Sequence, residues 1–124
     1  MGIGLSANER AALSLEGLST GDAFGDQFFR LAAQEEQLIA EKTAPPGPWP
    51  YTDDTEMALS VVAMLQRHGA IEQDALARDF AHHYDPSRGY GPAMHRVLNA
   101  IREGEPWTDV TRREFSGQGS WGNG

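Results

Sequence analysis

Apolar side chains recur along this chain at the three- and four-residue spacing of helices. Met94, Val97, Leu98 and Ile101 stand at positions i, i+3, i+4 and i+7, which predicts a core-facing helix that ends at Gly104. Similar spacing predicts a helix over 72–84, and strong helix formers after an acidic first turn predict one over 53–68. No segment alternates apolar and polar residues long enough to indicate a strand. The pattern therefore predicts an all-α fold.

The remaining segments give weaker signals. Leucines among small residues predict a helix over 8–29, with Asn8 as its N-cap. Gly17, Gly21 and Gly25 lower its helix propensity, so we expect another helix or a ligand to approach the backbone closely there. Residues 44–50 hold four of the seven prolines and predict a rigid loop. A shorter helix is expected from 106 or 107 to 115.

Composition narrows the class of protein. The 124 residues suit one domain, 1–124, and eighteen acidic against ten basic residues give a net charge of -8. This charge repels polyanions, so we expect no nonspecific nucleic-acid binding. Because the chain has no cysteine, it has no thiolate metal ligand, and a cytoplasmic location is expected. No apolar stretch is long enough to span a bilayer.

Two carboxylates and two hydroxyls stand within one turn at the predicted start of the helix over 53–68. Thr52, Asp53, Asp54 and Thr55 offer the hard oxygen donors that Mg²⁺, Mn²⁺ and Ca²⁺ prefer, and adjacent aspartates can serve two ions. Helix capping accounts for the same residues, with Glu56 completing a capping box. Both interpretations can hold together, since one residue can cap while its neighbour binds metal.

Two glycine-rich segments are candidate ligand sites. The segment 115–124, FSGQGSWGNG, exposes amides that can bind phosphate and carries an aromatic ring that can cover a base; a flexible tail accounts for it equally well. The loop 85–92, DPSRGYGP, sets Arg88 and Tyr90 just before a helix, where amides and a guanidinium can contact phosphate. A plain turn between helices is the alternative.

Taken in order, GLSTGDAFGDQFF, YTDDTEMA, RGYGP and FSGQGSWGNG resemble the ADP-ribosylglycohydrolase family, which includes the dinitrogenase reductase-activating glycohydrolases. The resemblance implies an all-helical hydrolase with two Mg²⁺ or Mn²⁺ ions, and it implies Thr52, Asp53 and Asp54 as the first group of metal ligands. It also implies a set of ligand-binding positions. These are Gly89, Tyr90, Gly91, Phe115, Gly119, Ser120, Trp121, Gly122 and Asn123.

The chain departs from the family pattern in two places. The family's second set of metal ligands, an Asp-x-Asp-Thr/Ser motif far downstream, does not occur in it, so we expect an N-terminal part of the family fold. Phe29 stands where many members have a glutamate near the scissile bond, and Asp26 is the nearest carboxylate, with Glu35 and Glu36 further along the chain. Asp26 is therefore the candidate acid/base residue, and Asp54 the second candidate catalytic residue through its metal.

The function implied is metal-dependent cleavage of the glycosidic bond between ADP-ribose and an acceptor. Such cleavage passes through an oxocarbenium-like state, which calls for a positioned water and a group to handle the proton. The alternative is a noncatalytic module that binds ADP-ribose or a nucleotide, motivated by Phe29. A purely structural helical domain, in which the aspartates only cap, is the third hypothesis.

Overall fold

The structure is a computed structural model and describes residues 4–120 of the chain. All of its regular elements in this range are helical, as the sequence pattern predicts. They are α1 (Ala7–Arg30), α2 (Glu35–Ala40), α3 (Asp53–His68), α4 (Gln73–His83), a 3₁₀ turn (Pro86–Arg88), α5 (Pro92–Arg102) and α6 (Trp107–Glu114). Among the described helices, none combines the length and the apolarity of a bilayer-spanning segment.

Contacts divide the chain into two compact units. Unit 1 is Met1–Thr55 and unit 2 is Glu56–Gly124, so the boundary falls within the first turn of α3. The assignment of residues 1–124 to one domain stays a prediction.

In unit 1, α1 begins earlier than expected because Ser6 and not Asn8 is its N-cap. Ser6 N donates to Glu9 Oε2 at 2.7 Å and Glu9 N donates to Ser6 Oγ at 3.2 Å. This reciprocal pair is a capping box, which satisfies two otherwise unpaired amides at once. The prediction of Asn8 was wrong because the Ser-x-x-Glu spacing lies two residues upstream of it.

The glycine-rich half of α1 also differs from expectation. A Cβ added at Gly17, Gly21 or Gly25 meets no atom of residues 4–120 within 4 Å, so no other helix in this range approaches the backbone there. The expectation that another helix approaches closely was wrong for the described residues, and the approach of a ligand stays a prediction. The helix continues through these glycines despite a propensity cost of about 1 kcal/mol each.

The rest of unit 1 consists of one short helix and the proline loop. Helix α2 was not predicted, because its six residues are too few to display an apolar period. The proline loop that follows packs onto α1 through an edge-to-face contact between the Trp49 and Phe24 rings, whose centroids lie 5.2 Å apart. Trp49 Nε1 donates to Pro45 O at 3.0 Å, which fixes the indole against its own loop.

Unit 2 contains a hydrophobic core. Tyr84, Tyr90 and Leu98 form its centre, and Leu98 is only 1% exposed. The predicted stripe of α5 is confirmed at Val97, which is 2% exposed, and at Leu98. The expected stops at Gly69 and Gly104 are confirmed too, since both adopt a positive φ after their helices.

Candidate functional site

The centre of the candidate site in unit 1 is a carboxylate that joins α1 to the start of α3. Asp22 Oδ2 accepts from Thr52 N at 2.8 Å, from Thr55 N at 3.3 Å and from Thr55 Oγ1 at 2.6 Å. Asp22 Oδ1 accepts from the Thr52 hydroxyl at 2.5 Å. Both threonines are buried. One side chain therefore fixes two of the four residues in the Thr-Asp-Asp-Thr segment.

These hydrogen bonds also set the charge of Asp22. Partial burial by itself raises the pKa of the carboxyl, but the hydrogen bonds from Thr52 and Thr55 together outweigh burial and hold the pKa below its ordinary value of 3.8. Asp22 is therefore ionised at neutral pH and acts only as an acceptor.

At the N-terminal end of α3, side chains of Asp22 and Thr52 accept hydrogen bonds from backbone amides. The amide of Thr55 is satisfied by Asp22, and the amide of Asp54 donates to Thr52 Oγ1 at a long 3.4 Å. Neither bond uses the side chain of Asp53 or Asp54. Glu56 Oε1 accepts from Asp85 N and from Tyr90 Oη in unit 2, and a capping box with Glu56 stays a prediction.

The donors at this helix start fit a hard divalent cation by their chemistry. Thr52, Asp53 and Asp54 supply hydroxyl and carboxylate oxygens, of which Asp53 is partly exposed and Asp54 exposed. Over residues 4–120, no group of three or more histidine, aspartate or glutamate side chains is arranged to hold a metal ion. Within this donor set, the hydroxyl of Thr52 is fixed by its hydrogen bond to Asp22.

Asp26 lies on α1 one turn beyond Asp22. Arg30 Nε donates to Asp26 Oδ2 at 2.5 Å, so the carboxylate is paired along its own helix. Phe29, at the position where the family pattern implies a glutamate, is 86% exposed. The roles of Asp26 and Asp54 in catalysis stay predictions.

In unit 2, Glu56 holds the loop before α5 through two hydrogen bonds. Asp85 N donates to Glu56 Oε1 at 2.8 Å and Tyr90 Oη donates to the same oxygen at 2.9 Å. Tyr90 is buried and its ring packs edge-to-face on Tyr84 at 5.1 Å between centroids. Its side chain anchors the loop, which leaves the backbone of Gly89 and Gly91 on the exposed side.

Arg88 lies near two carboxylates, that of Asp85 in its own loop and that of Glu56 on α3. Its Nε is 3.5 Å from Asp85 Oδ2 and 3.8 Å from Glu56 Oε2. One cation beside two anions leaves a net negative charge, which weakens the sequence-based hypothesis that the guanidinium attracts phosphate. Gly89 adopts a φ of 88°, a conformation that favours glycine, so the turn itself requires this residue.

The segment after α6 is only partly described. Phe115 is the C-cap of α6, and Gly117 N donates to Arg112 O at 2.9 Å, which closes the helix end. Gly119 and Ser120 are exposed, and Gly119 has a φ of 75°. The predicted ligand positions Trp121, Gly122 and Asn123 lie outside the described residues.

The sequence did not single out Asp22 or assign Glu56 its observed role. Asp22 stands 30 residues before Thr52, and no local spacing indicates that the two meet. The available signal was an acidic residue among small ones within GLSTGDAFGDQFF. Glu56 was considered only as a helix cap, because its partners Asp85 and Tyr90 lie 29 and 34 residues away.

Comparison with known proteins supplies the family. The sequence model of the ADP-ribosylglycohydrolase family matches residues 5–124, and the chain belongs to this family. It is 40% identical over 79 residues to ADP-ribosylhydrolase ARH3 of Xenopus tropicalis, a match that covers 60% of this chain and 22% of that protein.

Two further relatives give a similar picture. ADP-ribosylhydrolase ARH3 of Homo sapiens is 39% identical over 79 residues, covering 60% of this chain and 22% of its own length. The uncharacterized protein YegU of Escherichia coli is 42% identical over 66 residues, covering 48% of this chain and 20% of its own. The matched part thus spans about a fifth of the length of these relatives. No solved structure matches the chain significantly.

Proposed function

We propose that this chain carries the first metal-ligand group and part of the ligand surface of a hydrolase that cleaves the glycosidic bond between ADP-ribose and an acceptor. Membership of the ADP-ribosylglycohydrolase family supports the reaction class, as do relatives named ADP-ribosylhydrolase. The observation that carries the proposal is the bonding of Thr52 and Thr55 to Asp22, directly beside Asp53 and Asp54.

In this proposal Thr52, Asp53 and Asp54 hold Mg²⁺ or Mn²⁺, with two ions in the complete site. Such ions polarise ribose hydroxyls and lower the pKa of a bound water. The chain's own residues supply the rest: Asp22 keeps the threonines in place, and Asp26 is the local candidate to take or give a proton. At Asp26 this requires release of the carboxylate from Arg30.

The ligand surface in this proposal includes Gly89, Tyr90 and Gly91 and the segment from Phe115 through Asn123. Because the Tyr90 ring is buried against Tyr84 and its hydroxyl bonds to Glu56, the loop would meet ADP-ribose through its backbone amides and carbonyls. The exposed positive-φ Gly119 and the hydroxyl of Ser120 suit contacts with phosphate or ribose. A cytoplasmic location belongs to the same proposal.

An assay of ADP-ribose release with and without added Mg²⁺ tests this function. We expect release to depend on the metal and Asp54→Ala to abolish that dependence in the full-length protein. Glu16→Gln, an exposed α1 residue that removes the same charge, is the matched control. Metal-dependent release that persists undiminished in Asp54→Ala would contradict the metal assignment.

Phe29 favours a second candidate function, a noncatalytic module that binds ADP-ribose. Its ring is 86% exposed at the position where the family pattern implies a carboxylate, so no proton-handling group stands there. Calorimetry with ADP-ribose beside the release assay separates the two functions. Binding without turnover in the full-length protein would favour the module.

A further inference from the structure

The hydrogen bonds of Asp22 have a fixed direction. A backbone amide can only donate, so Oδ2, which receives Thr52 N and Thr55 N, is an acceptor. A carboxylate that accepts through both oxygens obliges each hydroxyl bonded to it to give up its one proton. The hydroxyls of Thr52 and Thr55 consequently both point their hydrogens at Asp22.

A threonine hydroxyl that donates in this way keeps two lone pairs. At Thr52 one of them faces the amide of Asp54, whose nitrogen lies 3.4 Å away. The second lone pair remains for another partner. A cation requires a lone pair and is repelled by a hydroxyl hydrogen, so the direction of this one bond decides whether Thr52 can serve as a ligand.

We propose that Asp22 is a positioning residue: it holds the Thr52 hydroxyl with its proton turned toward α1 and so leaves an oxygen lone pair for a divalent cation. This inference rests on the proposed function and deepens it. Asp22 itself need not touch the ion. It acts through Thr52, by fixing both the place and the polarity of that hydroxyl.

The substitution Asp22→Asn changes the polarity of the hydrogen bonds at this position and keeps the shape of the side chain. Its carbonyl oxygen can replace Oδ2 and still accept from Thr52 N and Thr55 N, so the local fold is kept. Its NH₂ group then replaces Oδ1 and donates to Thr52 Oγ1, where the carboxylate accepted. The Thr52 proton is turned away from α1, and a lone pair that the cation needs is occupied.

Mn²⁺ binding to the full chain, followed by electron paramagnetic resonance of the free ion, measures this effect without any turnover. We expect Asp22→Asn to weaken Mn²⁺ binding about 10–100-fold, the usual cost of losing a partner that orients a metal ligand. Thr52→Val should weaken binding similarly, and Thr52→Ser should retain it. Glu16→Gln, which removes an equal charge from an exposed position on α1, should leave affinity unchanged.

The double variant distinguishes positioning from a general structural effect. If Asp22 acts through Thr52, Asp22→Asn should add nothing to the loss already caused by Thr52→Val, because the hydroxyl it orients is gone. Additive losses would overturn the proposal. Circular dichroism on each variant checks that the helices are retained.

Other outcomes are equally decisive. If the wild-type chain binds no Mn²⁺, the proposed metal site fails, and this inference fails with it. If the wild type binds and Asp22→Asn binds equally well, only the role of Asp22 is overturned. Should Asp22→Asn not fold, Asp22→Glu decides, since it keeps the charge but moves it by one methylene: weakened binding with intact helices supports positioning, and unchanged affinity overturns it.

Discussion

The two units of this chain are stabilised in different ways. Unit 2 buries large apolar and aromatic side chains around Tyr84, Tyr90 and Leu98. In unit 1, the buried residues among those described are small or polar. They are Ala23, Gln27, Pro45, Thr52 and Thr55. Unit 2 therefore depends mainly on the hydrophobic effect, whereas unit 1 combines the Trp49–Phe24 ring contact with directed hydrogen bonds to one carboxylate.

This difference indicates where each unit is sensitive to change. A hydrophobic core distributes its free energy over many contacts and tolerates the loss of one hydrogen bond. Four hydrogen bonds converge on the Asp22 side chain, which specifies the position of each donor. All four are lost together when this side chain is removed. A binding site built at such a cluster gains precise geometry without a large core beneath it.

Removal of a core side chain from unit 2 should have the largest effect on stability. Leu98→Ala leaves a cavity at a residue that is 1% exposed and should lower the free energy of unfolding by about 2–5 kcal/mol. Urea denaturation followed by circular dichroism measures the loss. Leu13→Ala on exposed α1 is the control, and an equal loss there would contradict the contrast between the units.

Removal of the acceptor from unit 1 should have a smaller but more local effect. Asp22→Ala leaves buried donors of Thr52 and Thr55 without their partner, at about 1–3 kcal/mol for an unsatisfied group. Hydrogen exchange should accelerate at the amides of Thr52 and Thr55 in particular. Exchange that accelerates uniformly along the chain would instead assign Asp22 a global role.

Loss of a single hydrogen bond at the edge of the unit 2 core should lower the free energy of unfolding less than either change above. Tyr90→Phe removes the donor to Glu56 Oε1 and keeps the ring against Tyr84, so we expect a loss of about 0.5–1.5 kcal/mol. Urea denaturation again gives the value. A loss as large as that of Leu98→Ala would mean that the polar contact, and not the packing, dominates this core.

Acid should produce the smallest of these effects. Because hydrogen bonds hold the folded-state pKa of Asp22 below 3.8, its contribution to stability is complete above that pH and is lost as the pH falls through the folded pKa. The difference in the free energy of unfolding between the wild type and Asp22→Asn, measured without metal, should therefore decrease below about pH 4. A difference that stays constant into acid would show that ionisation of Asp22 contributes nothing.

Much of the helical pattern was accessible from the sequence, because it depends on local signals. The predicted bounds 53–68 match α3, since acidic residues open the helix and Gly69 ends it. The stripe on α5 was equally clear. The predicted start of α1 was wrong because the capping pair is Ser6 and Glu9, and α2 was not predicted because it is too short to show a period.

Only part of the candidate site could be predicted from the sequence. Thr52, Asp53 and Asp54 are adjacent in the chain and carry a recognisable donor set, so they could be proposed together. The contact of Asp22 with Thr52 and that of Glu56 with Tyr90 could not be predicted, because they span 30 and 34 residues of the chain. The spacing of residues along the chain indicates the pattern within one helix, whereas these contacts join different elements.

The span between Asp22 and Thr52 has a consequence for handling the protein. Bringing two points together across 30 residues costs about 3 kcal/mol of chain entropy before any constant, a cost met once while the backbone is continuous. A protease cut among the exposed residues of the proline loop would turn that closure into a concentration-dependent reassociation of two peptides. Intact mass should therefore be verified before any weak cation affinity is attributed to a point mutation.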